Sequence, residues 1–266
     1  MLSSTLRIIQ PITHLLLILI YAVPIFFASS YLNAAEPVRR YIQSEQEPLY
    51  DSLLAEYGNN KELPEGYELQ ALLALSHYPE LRDIKIKFVL NDVDIAISSR
   101  PHWTGVFKGA KKRTYLVVID TEREGPRPSL ILKNQPFNAQ VGILGHELAH
   151  TVYYLNRSFF GVSGDGFCQL TRCRVNFERN TDLRLIDYGL GWQRFDHSMF
   201  LRTSNIPDAE IAFNAVGASG AYMSPRELLE NMEASGLYGD FEISPSEYFE
   251  PSEQDAVING AISPSP

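Results

Sequence analysis

Cysteine is scarce in this chain, with two among 266 residues, Cys168 and Cys173. Two thiols cannot complete a tetrahedral metal site or build a framework of covalent staples. They fit one local disulfide in an oxidising compartment. Positive charge is also in short supply, at 23 Lys and Arg against 32 Asp and Glu, a net charge of −9. The basic footprint that a phosphate backbone requires is missing, so nucleic acid is not an expected partner. No internal repeat is visible. The remaining composition, 45% hydrophobic and 21% charged, is that of a chain able to form a core.

Charge is absent from most of the N-terminus too. Arg7 is the sole charged residue before Glu36, and residues 12–32 are largely apolar. This matches the basic and apolar regions of an export signal. Ala28, Ser29, Ser30, Ala34 and Ala35 offer places to cut, although none forms a clean A-x-A. A stretch of about 20 apolar residues also suffices to span a bilayer uncut. Either way, the expectation is an exported chain, periplasmic or extracellular, whose contact with a membrane runs through this segment. The division follows as 1–35 signal or anchor, 36–243 globular domain, and 244–266 a flexible tail rich in Ser, Pro and Glu.

Patterning predicts an α+β domain. Residues 49–57 and 66–78 have helical periodicity, the second ending at Pro79. Residues 84–90 alternate apolar and basic side chains, and 114–120 are β-branched and aromatic, so both predict strands. Ile95–Ile97 continues the sheet, 122–128 reads as a loop, and Leu130–Leu132 is a short strand. The second half reads as helical. Asn138 caps a helix over 139–155, another runs 176–188 before Gly189, and a third opens at the capping box of Ser224 and Glu227 and stops at Gly236.

The first of these helices carries His146-Glu147-Leu148-Ala149-His150. Histidines at i and i+4 lie on one helical face and can share one zinc ion, with the intervening glutamate reaching a water on the metal. A catalytic zinc takes three protein ligands and leaves a position open. A third histidine at 156 with glycine at 153 would complete a metzincin, but those positions hold Asn156 and Tyr153. Glu178, 28 residues beyond His150, is the better third ligand. Asp182 shares its helical face, so one carboxylate can bind zinc while the other accepts the free N–H of a ligating histidine.

HExxH followed by ExxxD on a second helix resembles the gluzincin, thermolysin-like group of zinc peptidases, over roughly residues 138–190. The resemblance implies a zincin-like fold, with a small mixed or antiparallel sheet packed on the metal helix and a helical second half. It implies His146, His150 and Glu178 as zinc ligands, Glu147 as general base, and Asp182 as hydrogen-bond partner of a ligand. It also implies an edge strand, 114–120 or 130–132, that binds a peptide or protein substrate by strand addition. Asp182 as direct ligand, as in aspzincins, and His197 as third ligand remain alternatives. Tyr188-Gly189 stands too far along to match the aspzincin tyrosine-glycine pair.

The oxyanion of a tetrahedral intermediate needs a donor, for which His197 is the first choice and Tyr153, Tyr154, Tyr188 and Tyr222 are others. His77 and His102 have no partner pattern and read as structural. Residues 156–174, with three glycines and both cysteines, read as a loop between the motif helices. Two further functions share these residues. One is an inactive metal-bound, membrane-tethered scaffold, against which the intact Glu147 argues. The other is a zinc hydrolase of a non-peptide amide such as cell-wall material.

Overall fold

The computed structural model describes residues 35–93, 97–105, 107–120, 131–168, 173–203 and 220–242. Residues 1–34, the 122–128 loop and the 244–266 tail lie outside them. Among the described residues no helix is long and apolar enough to cross a membrane.

The fold is mixed α+β. After a short helical stretch at Gln43–Gln46, the chain forms α1 (Tyr50–Tyr57), β1 (Lys61–Glu62), α2 (Glu68–Ser76), β2 (Lys85–Asn91), β3 (Ile97–Pro101) and β4 (Thr114–Asp120). The second half holds α3 (Phe137–Leu155), α4 (Phe159–Cys168), α5 (Cys173–Asp187), α6 (Gly191–Thr203) and α7 (Pro225–Ser235).

The four strands lie in the order β1-β2-β4-β3. β2 is parallel to β1 and β4, and β3 runs antiparallel to β4 in the register Ile97↔Ile119 to Pro101↔Tyr115. β2 alternates as its sequence predicts, with Ile86 and Phe88 buried and Lys85 exposed. Strand 114–120 is not an edge: it pairs on both sides. Its run Tyr115, Val117, Val118 and Ile119, all buried, has the continuous apolar character of a central strand. Among the described strands β1 and β3 are the edges, and the Ser99 hydroxyl of β3 meets Thr151 Oγ1 of α3 at 2.8 Å.

α3 is apolar or buried on nearly every face from Asn138 to Val152, which identifies it as the helix the rest of the domain is built around. α2 packs against it, likewise almost wholly buried. Polar groups fix the entry to α3. Gln140 Nε2 donates to the carbonyls of Leu132 and Gln135, and its Oε1 accepts from Gln70. Asn138 is not the cap; Pro136 is, and the Asn138 side chain instead accepts from the Tyr41 amide and donates to Asp196. Residues 132–134 form a 3₁₀ turn rather than a strand.

Two further differences matter to the site. The stretch 156–174 contains a helix, α4, despite its glycines. α5 ends with Gly189 at φ +82, where the Gly189 and Leu190 amides bond back to Ile186 and Leu185. That αL stop reverses the chain within one turn, so α6 lies alongside α5. The capping box at Ser224 and Glu227 is formed, and Gly236 is left-handed.

Candidate metal centre

His146 and His150 are one turn apart on α3, both buried, with ring centroids 4.8 Å apart and planes at 85°. α5 crosses them and presents Glu178. Its Oε2 lies 3.2 Å from His146 Nε2 and 3.2 Å from His150 Nε2. The neighbour of the first histidine, Glu147, is also buried, and one atom each from His146, Glu147 and His150 fall within 4.8 Å of one another.

The other ring nitrogens fix the tautomers. His146 Nδ1 faces Asp182 Oδ1 at 2.8 Å. Asp182 also receives Arg194 Nε at 2.7 Å and the Met223 amide at 3.0 Å. A carboxylate with those donors is an acceptor, so His146 Nδ1 carries the proton. Thr181 Oγ1 donates to the Phe177 carbonyl at 3.0 Å and lies 3.2 Å from His150 Nδ1, which therefore donates to it. Both Nε2 atoms thus face the Glu178 carboxylate, and in a neutral ring each would be the lone pair left to bind a metal.

Three acceptors converging on one buried point need positive charge between them. Bonds of about 2.05 Å at tetrahedral angles would set zinc ligands about 3.3 Å apart, close to the separation seen here. The donor set, two imidazoles and one carboxylate, fits a divalent zinc ion. Where no ion is bound, a proton on His146 can supply that charge. Burial and the Arg194 guanidinium push His146 down, but hydrogen bonds to Asp182 and Glu178 outweigh them and hold it at about 9. Burial pushes Glu178 up, yet the two histidines bring it well below the usual carboxylate range. Asp182, buried too, is held low chiefly by Arg194 and His146. Burial raises Glu147, against the pull of His150 and His146.

The donors named from sequence separate in space. Tyr222 packs edge-on to His146, ring centroids 5.5 Å apart, with the Arg194 guanidinium 5.1 Å over its ring. Glu178 and Glu147 are near enough, with burial, to raise its hydroxyl above the ordinary range. His197 is buried on α6 and hydrogen-bonds through Nδ1 to Gln135 Oε1 at 2.7 Å; burial and Arg194 keep it neutral. Tyr153 packs on Phe177, and Tyr188 bonds to Glu80. His77 is a satisfied core histidine between Tyr41 Oη and the Tyr188 carbonyl, and His102 bonds to Thr104. Cys173 is disulfide-bonded, and the chain's one other cysteine is Cys168.

Arg194 and Thr181 were not foreseen. Thr181 lies three residues beyond Glu178, a spacing that places it on the ligand face. Arg194 has no acid three or four residues away on its own helix, which is the weak mark of a cation paired elsewhere. A cavity of about 330 Å³ beside Tyr153 and Arg184 shares Phe177 and Thr181 with the support of His150. Phe177 stacks on that ring at 4.9 Å.

No protein-family model, curated protein or solved structure matches this chain.

Proposed function

We propose that this chain is a zinc-dependent peptidase of the HExxH type. The observation that carries the reading is the meeting of His146 Nε2, His150 Nε2 and Glu178 Oε2 within 3.2 Å contacts, both Nδ1 atoms being committed as donors. His146, His150 and Glu178 are the metal ligands, and Asp182 orients His146. The mixed sheet beside the HExxH helix and the helical second half support a zincin-like fold. Residues 1–35 serve as export signal or anchor, so the enzyme works outside the cytoplasm.

Zinc in such a site acts as a Lewis acid and lowers the pKa of a bound water to about 7. Glu147 accepts a proton from the attacking water as the new C–O bond forms. It then delivers that proton to the amide nitrogen as the C–N bond breaks, so the chain ends unchanged. Tyr222, packed on His146, is the donor assigned to the developing oxyanion, a role worth about 3 kcal/mol in other hydrolases. Arg194 keeps Asp182 ionised and fixed, and Asp182 keeps the His146 tautomer fixed. The outer side of β3, which pairs with no strand among the described residues, takes the substrate backbone as an added strand.

The test is digestion of a peptide library by the zinc-loaded chain, with and without chelator, beside Glu147→Gln and Glu178→Ala. The expected result is chelator-sensitive cleavage in wild type, zinc without cleavage in Glu147→Gln, and loss of both in Glu178→Ala. Equal cleavage by Glu147→Gln overturns the mechanism. A zinc-loaded wild type that cleaves no peptide but releases cell-wall amides moves the substrate and keeps the chemistry.

A further inference from the structure

Between Asp94 and Asp120 the chain has no acidic residue and five basic ones, Arg100, Lys108, Lys111, Lys112 and Arg113, although its net charge is −9. Within that span two of the most exposed aromatic side chains stand in solvent. Trp103 is 71% exposed and Phe107 81% exposed. Lys108, Lys111 and Lys112 are exposed beside them.

These residues do not hang on a loose loop. Trp103–Gly105 and Ala110–Lys112 are 3₁₀ turns. Backbone bonds from Gly105 to His102, Lys108 to Gly105 and Lys112 to Gly109 close successive turns. Arg113 is buried and ties the segment down, donating to the carbonyls of Lys108 at 3.0 Å and Arg157 at 2.8 Å. Tyr115 Oη bonds to the Ala110 carbonyl, and the His102 ring stacks on Trp103. Three residues past the gripped Arg157 carbonyl, Phe160 is 83% exposed. The fold thus holds apolar rings outward by an ordered scaffold, where burial would be the favourable fate of each.

We propose that residues 102–105 and 107–113 form a docking surface for an anionic lipid membrane. Tryptophan and phenylalanine settle at the headgroup level of a bilayer, and nearby lysines are drawn to anionic headgroups. A surface of one charge sign matches such a bilayer. Residues 12–32, apolar and long enough to reach across a membrane, favour lipid over an acidic protein as the occupant. The sequence confined membrane contact to that N-terminal stretch; the folded domain supplies a second contact point. The inference does not depend on the metal centre.

The full chain reconstituted in vesicles tests it through tryptophan emission, since Trp192 is buried and Trp103 is not. With about 30% anionic lipid and bromine-labelled acyl chains, Trp103 is quenched, and in neutral vesicles it is not. The quenched component is absent from Trp103→Phe. It is released by about 0.5 M salt. In the triple variant K108Q/K111Q/K112Q the docking equilibrium falls on the order of a hundredfold, about fivefold per lysine removed. The salt titration of wild type reads the same interaction should the triple variant fail to fold. Equal quenching in neutral and anionic vesicles overturns the proposal, as does quenching that persists unchanged in Trp103→Phe. A Trp103 emission shift with soluble polyglutamate but not with anionic vesicles assigns the surface to an acidic protein and overturns it as well.

Discussion

Gly142→Ala should unfold the centre from behind. A Cβ at Gly142 would lie 2.2 Å from the Gln193 carbonyl oxygen, 2.4 Å from its carbon and 2.9 Å from the Arg194 nitrogen. Ordinary contact begins at 3.4 Å, so α3 and α6 would have to part by about 1.2 Å, and every obstructing atom is backbone. Overpacking of this kind costs about 3 kcal/mol at the upper end of its usual range. Alanine regains about 1 kcal/mol of helix propensity, leaving a net loss of about 2 kcal/mol. The same movement carries Arg194 away from Asp182, so zinc affinity falls about tenfold or more. Gly145→Ala is the control. Its Cβ meets the end of the Leu190 side chain at 2.6 Å, which can rotate aside, so the variant stays within about 1 kcal/mol of wild type. Urea unfolding at constant m-value measures both, with zinc competition alongside. A Gly142→Ala protein as stable as Gly145→Ala refutes the close approach of α3 to α6 and the link to Arg194 drawn from it.

Three further outcomes follow from single groups. Asp182→Asn leaves the Arg194 charge buried without its partner, so stability drops by about 3 kcal/mol and zinc affinity by about 10- to 100-fold; denaturation and metal competition read the two, and an unchanged metal affinity would remove Asp182 from the site. His77 is held at about 4 by burial against an ordinary 6.5, its bond to the Tyr188 carbonyl pulling the other way. The unfolded chain therefore takes up that proton first, so about 3 kcal/mol present above pH 6.5 is lost as pH falls to about 4 and no more is lost below. The difference between wild-type and His77→Gln unfolding curves across that window should trace this loss; parallel curves would show His77 plays no part. Ser224→Ala opens the capping box of α7 and lowers stability by about 1 kcal/mol, read by the same denaturation, whereas no change would place the helix start elsewhere.

What could be read in the sequence was local. The pair His146 and His150 is fixed by helical spacing alone. The strand at 114–120 and the α7 capping box are likewise written in neighbouring residues. What escaped depends on partners far along the chain. α6 buries Gln193, Arg194, His197 and Ser198 as well as Trp192 and Phe195, so polar residues interrupt its apolar pattern, and its part in the site rests on Asp182 twelve residues earlier. The glycines of α4 weaken a helix without preventing one. Asn138 has the chemistry of a cap, but Tyr41 and Asp196 compete for its amide. The run Tyr115 to Ile119, apolar on both faces, did carry the mark of a central strand, and its placement at the edge missed it.

Metal analysis of the full chain after equilibration with zinc bears most directly on the centre. The expected result is one zinc per chain, with nitrogen and oxygen neighbours at about 2.0–2.2 Å by X-ray absorption, and loss of the ion in Glu178→Ala. A wild type that takes up no zinc, or a Glu178→Ala protein that holds as much, contradicts the assignment of His146, His150 and Glu178 to a common ion.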